Sequence, residues 1–171
     1  MPSKDTGTTT TKETAAVAES ESYQSERARP DSNVDPDFID LSTFEQILEM
    51  DDDEDHEFSR TIVFGFMEQA EETFKKMRDH LNQKDLHELS QLGHFLKGSS
   101  ATLGLTKVKD HCEKIQNLGS GRDETGNASI DDSELNLARI KSALGEMEKE
   151  YTRVRVYFTR YYEDPLKNFQ P

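Results

Sequence analysis

From Leu137 to Tyr161 the chain places a large apolar side chain at every third or fourth position: Leu137, Ile140, Leu144, Met147, Tyr151, Val154, Phe158 and Tyr161. A helix turns by about 100° per residue, so this spacing draws one unbroken stripe down one side of a long helix. The stripe must be covered by something. A coiled coil would satisfy it, but three other amphipathic stretches in the same chain also need cover, which favours a bundle. One runs from about His56 to Leu81, with Phe58, Ile62, Phe66, Ala70, Phe74, Met77 and Leu81 in line and Val63 and Met67 broadening the stripe. The next begins after Asp85 and ends near Gly104, with Leu86, Leu89, Gly93, Leu96, Ser100 and Leu103 in line and Leu92 and Phe95 on one flank. The last, with Thr106 as its cap, carries Val108, Cys112, Ile115 and Leu118.

The connections fit the same picture. The turn-rich run from Gly119 to Asn127 is the longest loop between helices, and short connections elsewhere favour antiparallel neighbours. Asp131 and Glu134 read as the capping pair that opens the long last helix, and Pro165 as its stop. Ahead of the bundle, Ser42 and Glu45 form a capping box for a short helix presenting Phe44, Ile47 and Leu48. The acidic run from Asp51 to Asp55 then reads as a solvated junction. No segment alternates like a strand. The expected fold is all-α, an antiparallel four-helix bundle with an additional short N-terminal helix packed across one end, spanning residues 37–165. Residues 1–36 hold almost nothing large and apolar and are expected to be a disordered polar tail. Residues 166–171 form a short C-terminal tail.

Charge narrows the partners. The formal net charge is −14, which argues against nucleic acid, whose phosphates need Lys and Arg, and against an anionic membrane surface. Cys112 is the only cysteine, so no intramolecular disulfide can form. No apolar run resembles a signal peptide or approaches the ~20 residues that span a bilayer. The chain reads as soluble and intracellular.

The stretch Gly93-His94-Phe95-Leu96-Lys97-Gly98-Ser99-Ser100 carries the chemistry. On the helix, His94 points roughly 130° away from the core stripe, to the solvent side. Ser90, Gln91, Lys97, Gly98 and Ala101 share that side. Glycine inside a helix costs ~1 kcal/mol relative to alanine; beside an exposed histidine, Gly98 makes sense if another backbone must come close. Lys97, one turn from His94, can offset negative charge there. A small, positively charged clearing around an imidazole suits a ring that accepts a phosphoryl group and hands it on, because phosphoryl transfer depends chiefly on positioning and charge neutralisation.

The motif from His94 through Lys97, Gly98, Ser99 and Ser100 to Leu103-Gly104-Leu105 resembles the signature of histidine-containing phosphotransfer domains, and is most similar to the fungal phosphorelay intermediates. Met50 to Asp53, the run from Phe58 to Phe74 and Cys112 to Gly119 support the resemblance, which covers roughly residues 38–164. It implies that His94 is the phosphorylated residue, with Lys97, Gly98 and Ser99 supporting the site and Gln116 orienting or hydrogen-bonding the ring. It implies receiver domains as partners, one on a hybrid sensor histidine kinase and others on response regulators, with the Mg²⁺ carried by the receiver and no cofactor on this chain. The docking face it implies includes Phe44, Ile47 and Leu48, with Gln69 at its rim. The resemblance further implies stress signalling in cytoplasm and nucleus. Exposed docking at one histidine favours a monomer.

Other readings fit less well. Gly93 to Ser99 looks like a degraded phosphate-binding loop, but its Lys precedes the second Gly and no strand leads in. A carboxylate-bridged metal bundle needs Glu three residues before paired histidines, and none of the five histidines has one. The Asp51–Asp55 run lacks the glycine and spacing of a calcium loop. Cys112 reads as a core thiol, and His111 and His87 as surface residues. The remaining alternative is a helical adaptor that binds receiver-like partners without being phosphorylated.

Overall fold

The computed structural model describes residues 37–52 and 54–163. The expectations for residues 1–36, for Asp53 and for residues 164–171, Pro165 included, lie outside these. Among the described residues five helices follow in order: α1 Leu41–Leu48, α2 Glu57–Asn82, α3 Leu86–Thr102, α4 Thr106–Gly119 and α5 Ser133–Glu163. Helices α2 to α5 close a four-membered ring, α3 packing on α4, α4 on α5, α5 on α2 and α2 on α3. Neighbours run antiparallel. Along the α2–α5 seam Tyr162 donates to Ser59, Tyr151 donates to the Met67 carbonyl and to Glu71, and Arg78 pairs with Glu148, so one helix ascends as the other descends.

The stripes become the core. Leu89, Leu96, Leu103, Val108, Cys112, Ile115, Leu118, Ile140, Met147, Val154 and Phe158 are all buried. At the start of α2 the expected stripe is off by one position. Phe58 and Ile62 stand exposed, while Ser59 and Val63 turn inward; from Phe66 onward the expected positions are buried or half-buried. The polar Ser59 is tolerated inside because its hydroxyl takes the Tyr162 hydrogen bond and its amide donates to Asp51 at 2.7 Å. Phe95, expected on the core flank of α3, is half exposed.

The capping residues also differ from expectation. Asp40, not Ser42, caps α1, accepting the amides of Ser42 and Thr43. The hydroxyls of Thr43 and Ser42 donate to it as well and hold its carboxyl below the usual carboxylate value. Asp132, not Asp131, caps α5 through the Leu135 amide. Thr106 does not cap α4; its hydroxyl donates to the Asp37 carbonyl at 2.5 Å. Asp51 is no solvated junction residue: its side chain is 2% exposed, and it receives the Ser59 amide and lies 2.9 Å from His56 Nδ1.

Glycine allows the closest approaches. A Cβ on Gly93 would lie 2.9 Å from the Cys112 carbonyl and the Gln116 amide, and one on Gly119 would lie 2.7 Å from the Leu86 carbonyl and the Ser90 amide. These two glycines, one on each helix, let α3 and α4 touch backbone to backbone. Between them, Gly104 turns the chain at φ +72°, and a Cβ there would meet the Asp40 carbonyl at 2.6 Å. The Asp40 amide donates to the Gly104 carbonyl at 2.7 Å and ties α1 to this turn.

Candidate functional site

Helix α3 carries His94 on its outer surface, as the angle count requires, and the residue is exposed. The ring lies in a shallow depression lined by Gln91, Leu92, Phe95, Lys97 and Gly98. Of the neighbours expected from helix geometry, Gln91, Lys97 and Gly98 stand beside it. Ser90 does not: it is buried against α4, where its hydroxyl donates to the Gln116 carbonyl. Ser99 points away, its hydroxyl 3.5 Å from the Phe95 carbonyl of its own helix, and it is absent from the lining.

Gln116 is brought to the histidine. Its Nε2 lies 3.2 Å from His94 Nδ1, across the α3–α4 seam that Gly93 narrows. An amide can serve either ring tautomer. Its NH₂ donates to a bare Nδ1, and turned over, its carbonyl accepts from Nδ1–H. Gln116 Oε1, the other end of the amide, is buried without a hydrogen-bond partner among the described residues. His94 Nδ1 is thus engaged by the protein, and Nε2 is left to the depression.

Lys97 lines the same depression and sits 3.6 Å from Glu113 Oε1 on α4. Glu113 is exposed and Lys97 half-buried, and ion pairs this open to solvent are worth only ~0–1 kcal/mol. The ammonium can therefore leave Glu113 for a stronger anion at the ring. Gly98 is exposed, and an added Cβ there would meet nothing within 4 Å. Nothing among the described residues requires glycine at this position.

The expected docking residues divide. Phe44 is fully buried, packed on Phe158 with ring centroids 5.0 Å apart and on Tyr161 at 5.8 Å, and Ile47 is 7% exposed. Neither is available for docking. α1 spends its apolar face on the protein's own core, since eight residues offer no second apolar stripe. Leu48 and Gln69 are half-buried. The large apolar side chain exposed beside His94 is Phe95.

The other polar groups differ in character. Cys112 is buried, its sulfur 3.4 Å from Met147 Sδ, and burial pushes its thiol up to about 12, so it is inert as a nucleophile. His111 is half-buried rather than at the surface; burial first, and then Lys114, push it below its ordinary value. Among the described residues no group of three or more His, Cys, Asp or Glu is placed to hold a metal ion. No helix among them is long and apolar enough to cross a membrane.

Sequence reasoning missed Glu113, Ser120 and the role of Gly93, and it placed Ser90 beside His94 rather than against α4. The one available signal was Gly93 itself, a residue without a side chain inside a stripe of leucines, which marks a close approach. The others depend on which residues of α4 face α3, and helix periodicity within α3 does not contain that.

Fold and site together define a class: a four-helix bundle that displays a histidine on the outer face of one helix, with a polar side chain from the neighbouring helix at its ring. The Hpt domain model matches residues 62–155, more than half of the chain, and the protein belongs to that family. It is 48% identical over 129 residues to multistep phosphorelay regulator 1 of Schizosaccharomyces pombe, a match that takes in 75% of this chain and 44% of that protein. It is 33% identical over 167 residues to the phosphorelay intermediate protein YPD1 of Saccharomyces cerevisiae, covering 79% of this chain and 99% of that protein. The chain spans less than half the length of the first of these relatives and nearly all of the second. Among solved structures it is similar to the Saccharomyces cerevisiae histidine phosphotransfer signalling protein Ypd1 in co-crystal with the receiver domain of its downstream response regulator Ssk1. That match has a TM-score of 0.66 and 33% identity, covering 77% of this chain and 98% of that one.

Proposed function

We propose that this protein is a phosphorelay carrier that takes a phosphoryl group on His94 from a receiver-domain aspartate and passes it to the aspartate of another receiver. The observation that carries the reading is the Gln116 contact at His94 Nδ1 on an otherwise exposed ring. With the proton on Nδ1 and the Gln116 carbonyl turned toward it, Nε2 keeps its lone pair and faces the open depression. That lone pair forms the N–P bond as the P–O bond of the aspartyl phosphate breaks and the carboxylate leaves. The positive charge gained by the ring is shared through Nδ1–H with Gln116. Lys97 moves from Glu113 toward the phosphoryl oxygens and offsets their charge. Transfer onward is the same step reversed.

The receiver supplies the aspartate and its Mg²⁺, and this chain supplies the nucleophile and a surface. Gly98 leaves room for the receiver's backbone next to the ring, and Phe95 and Leu92 offer it apolar contact. Kinship with a protein crystallised against a receiver domain supports that class of partner.

Incubation with a phosphorylated receiver domain should leave acid-labile, base-stable label on the wild-type protein and none on His94→Gln. Equal labelling of the variant would overturn the reading. Receiver binding with no label on either protein would make the chain an adaptor.

A further inference from the structure

Gln116 is held at both ends, and both grips come from a single turn of α3. Its side chain meets His94 at 3.2 Å. Its backbone carbonyl accepts the hydroxyl of Ser90, four residues before His94, at 2.9 Å. That carbonyl lies in the last turn of α4, where helix carbonyls run short of partners. It also accepts from Ser120, at 2.8 Å from the hydroxyl and 3.1 Å from the amide. The two hydroxyl oxygens are 2.9 Å apart, so two hydroxyl protons serve a triangle of three oxygens.

We infer that Ser90, backed by Ser120, is a positioning residue for the transfer reaction: it fixes the Gln116 backbone so that the Gln116 amide meets His94 Nδ1. The inference rests on the assignment of His94 as the phosphoryl acceptor. Gly93 sets the distance between the helices at this point, because any Cβ would push on the Gln116 amide and Cα. Distance alone leaves the end of α4 free to rotate and slide along the seam. The Ser90 hydroxyl removes that freedom. It is 8% exposed, bonds across the seam, and lies one helical turn from the ring. A hydrogen bond of this kind acts on the chemistry by geometry, since small misplacements of an orienting group slow a transfer step strongly. Ser90 touches neither the ring nor an incoming phosphoryl group, so its influence passes entirely through Gln116.

The test uses the full chain with phosphoramidate, a small phosphodonor that needs no partner protein. Ser90→Ala should slow labelling of His94 by about tenfold. In a Gln116→Ala background the same Ser90→Ala change should have no effect, because the side chain it positions is gone. Ser120→Ala, at an exposed position, should give a weaker version of the same pattern. An equal slowing in both backgrounds would mean that Ser90 only supports the fold, and an unchanged rate would mean that it does nothing here; either overturns the inference. A second readout does not depend on phosphorylation. In nitrogen NMR the His94 ring signals of Ser90→Ala should move toward those of Gln116→Ala. Unmoved signals would overturn the inference even if His94 proved never to be phosphorylated, whereas absence of label on the wild type would count against His94 as the acceptor alone.

Discussion

At the scale of single residues the site separates chemistry from access. In the proposed transfer Gln116 and Lys97 act on the ring and its charge, and Gly98 acts on who can reach it. Space for a side chain at Gly98 exists within the free protein. Gly98→Gln should therefore fold and gain ~0.5–1 kcal/mol from helix propensity. It should be labelled by a small phosphodonor at close to the wild-type rate, yet slow in exchange with a receiver domain by about tenfold or more. Pulse-labelling with the two donors side by side checks this, and equal slowing with both would mean that Gly98 serves the ring directly. His94, Lys97 and Gly98 were legible in the sequence because they share one helix and angles of ~100° per residue place them together. Ser99 rested on the family motif, and helix geometry turns it away from His94. Gln116 rested on family resemblance, and Glu113 was invisible, because both belong to another helix.

At the scale of elements the α3–α4 pair is built for contact without side chains between the backbones. Gly93→Ala inserts a methyl group where the nearest carbonyl and amide are 2.9 Å away. Overpacking of this sort costs ~1–3 kcal/mol. Because the obstruction is backbone, the helices must part, and the Gln116–His94 contact should lengthen with them. Chemical denaturation should show the loss of stability, and labelling should slow in the same variant. Gly65→Ala and Gly145→Ala, where a Cβ meets nothing within 4 Å, serve as controls that should be neutral or stabilising. Periodicity gave the helices and most of their inward faces, but not their first residues. The caps fell at Asp40 and Asp132 because a neighbouring Asp competes equally well for the same amides, and local sequence does not choose between them. The inward turn of Ser59 was hidden for a related reason: Asp51 and Tyr162, its partners, lie on other elements.

At the scale of the whole molecule the ring of helices follows from four stripes that need mutual cover, and that much is written in the spacing of Leu, Ile, Phe and Met. One consequence of how the core closes is a dependence on acid. His111 lies against α5, where Glu150 and Glu146, with Asp110 on its own helix, favour its protonation. Burial, the larger effect, and Lys114 oppose it and win. Its folded value is therefore below the ordinary 6.5. As pH falls through about 6.5 the unfolded chain takes up this proton first, and stability drops with it. Urea midpoints measured at about pH 7.5 and about pH 5.5 should fall further in the wild type than in His111→Gln; an identical fall would remove His111 from the account. The arrangement of the site has a consequence for the order of assembly as well. His94, Lys97, Glu113, Gln116, Ser90 and Ser120 all belong to one helical hairpin closed by the Gly104 turn. Contacts so near in sequence form with little loop-closure cost. The surface around His94 is thus part of the most local unit of the chain, expected to form before the long last helix docks against it.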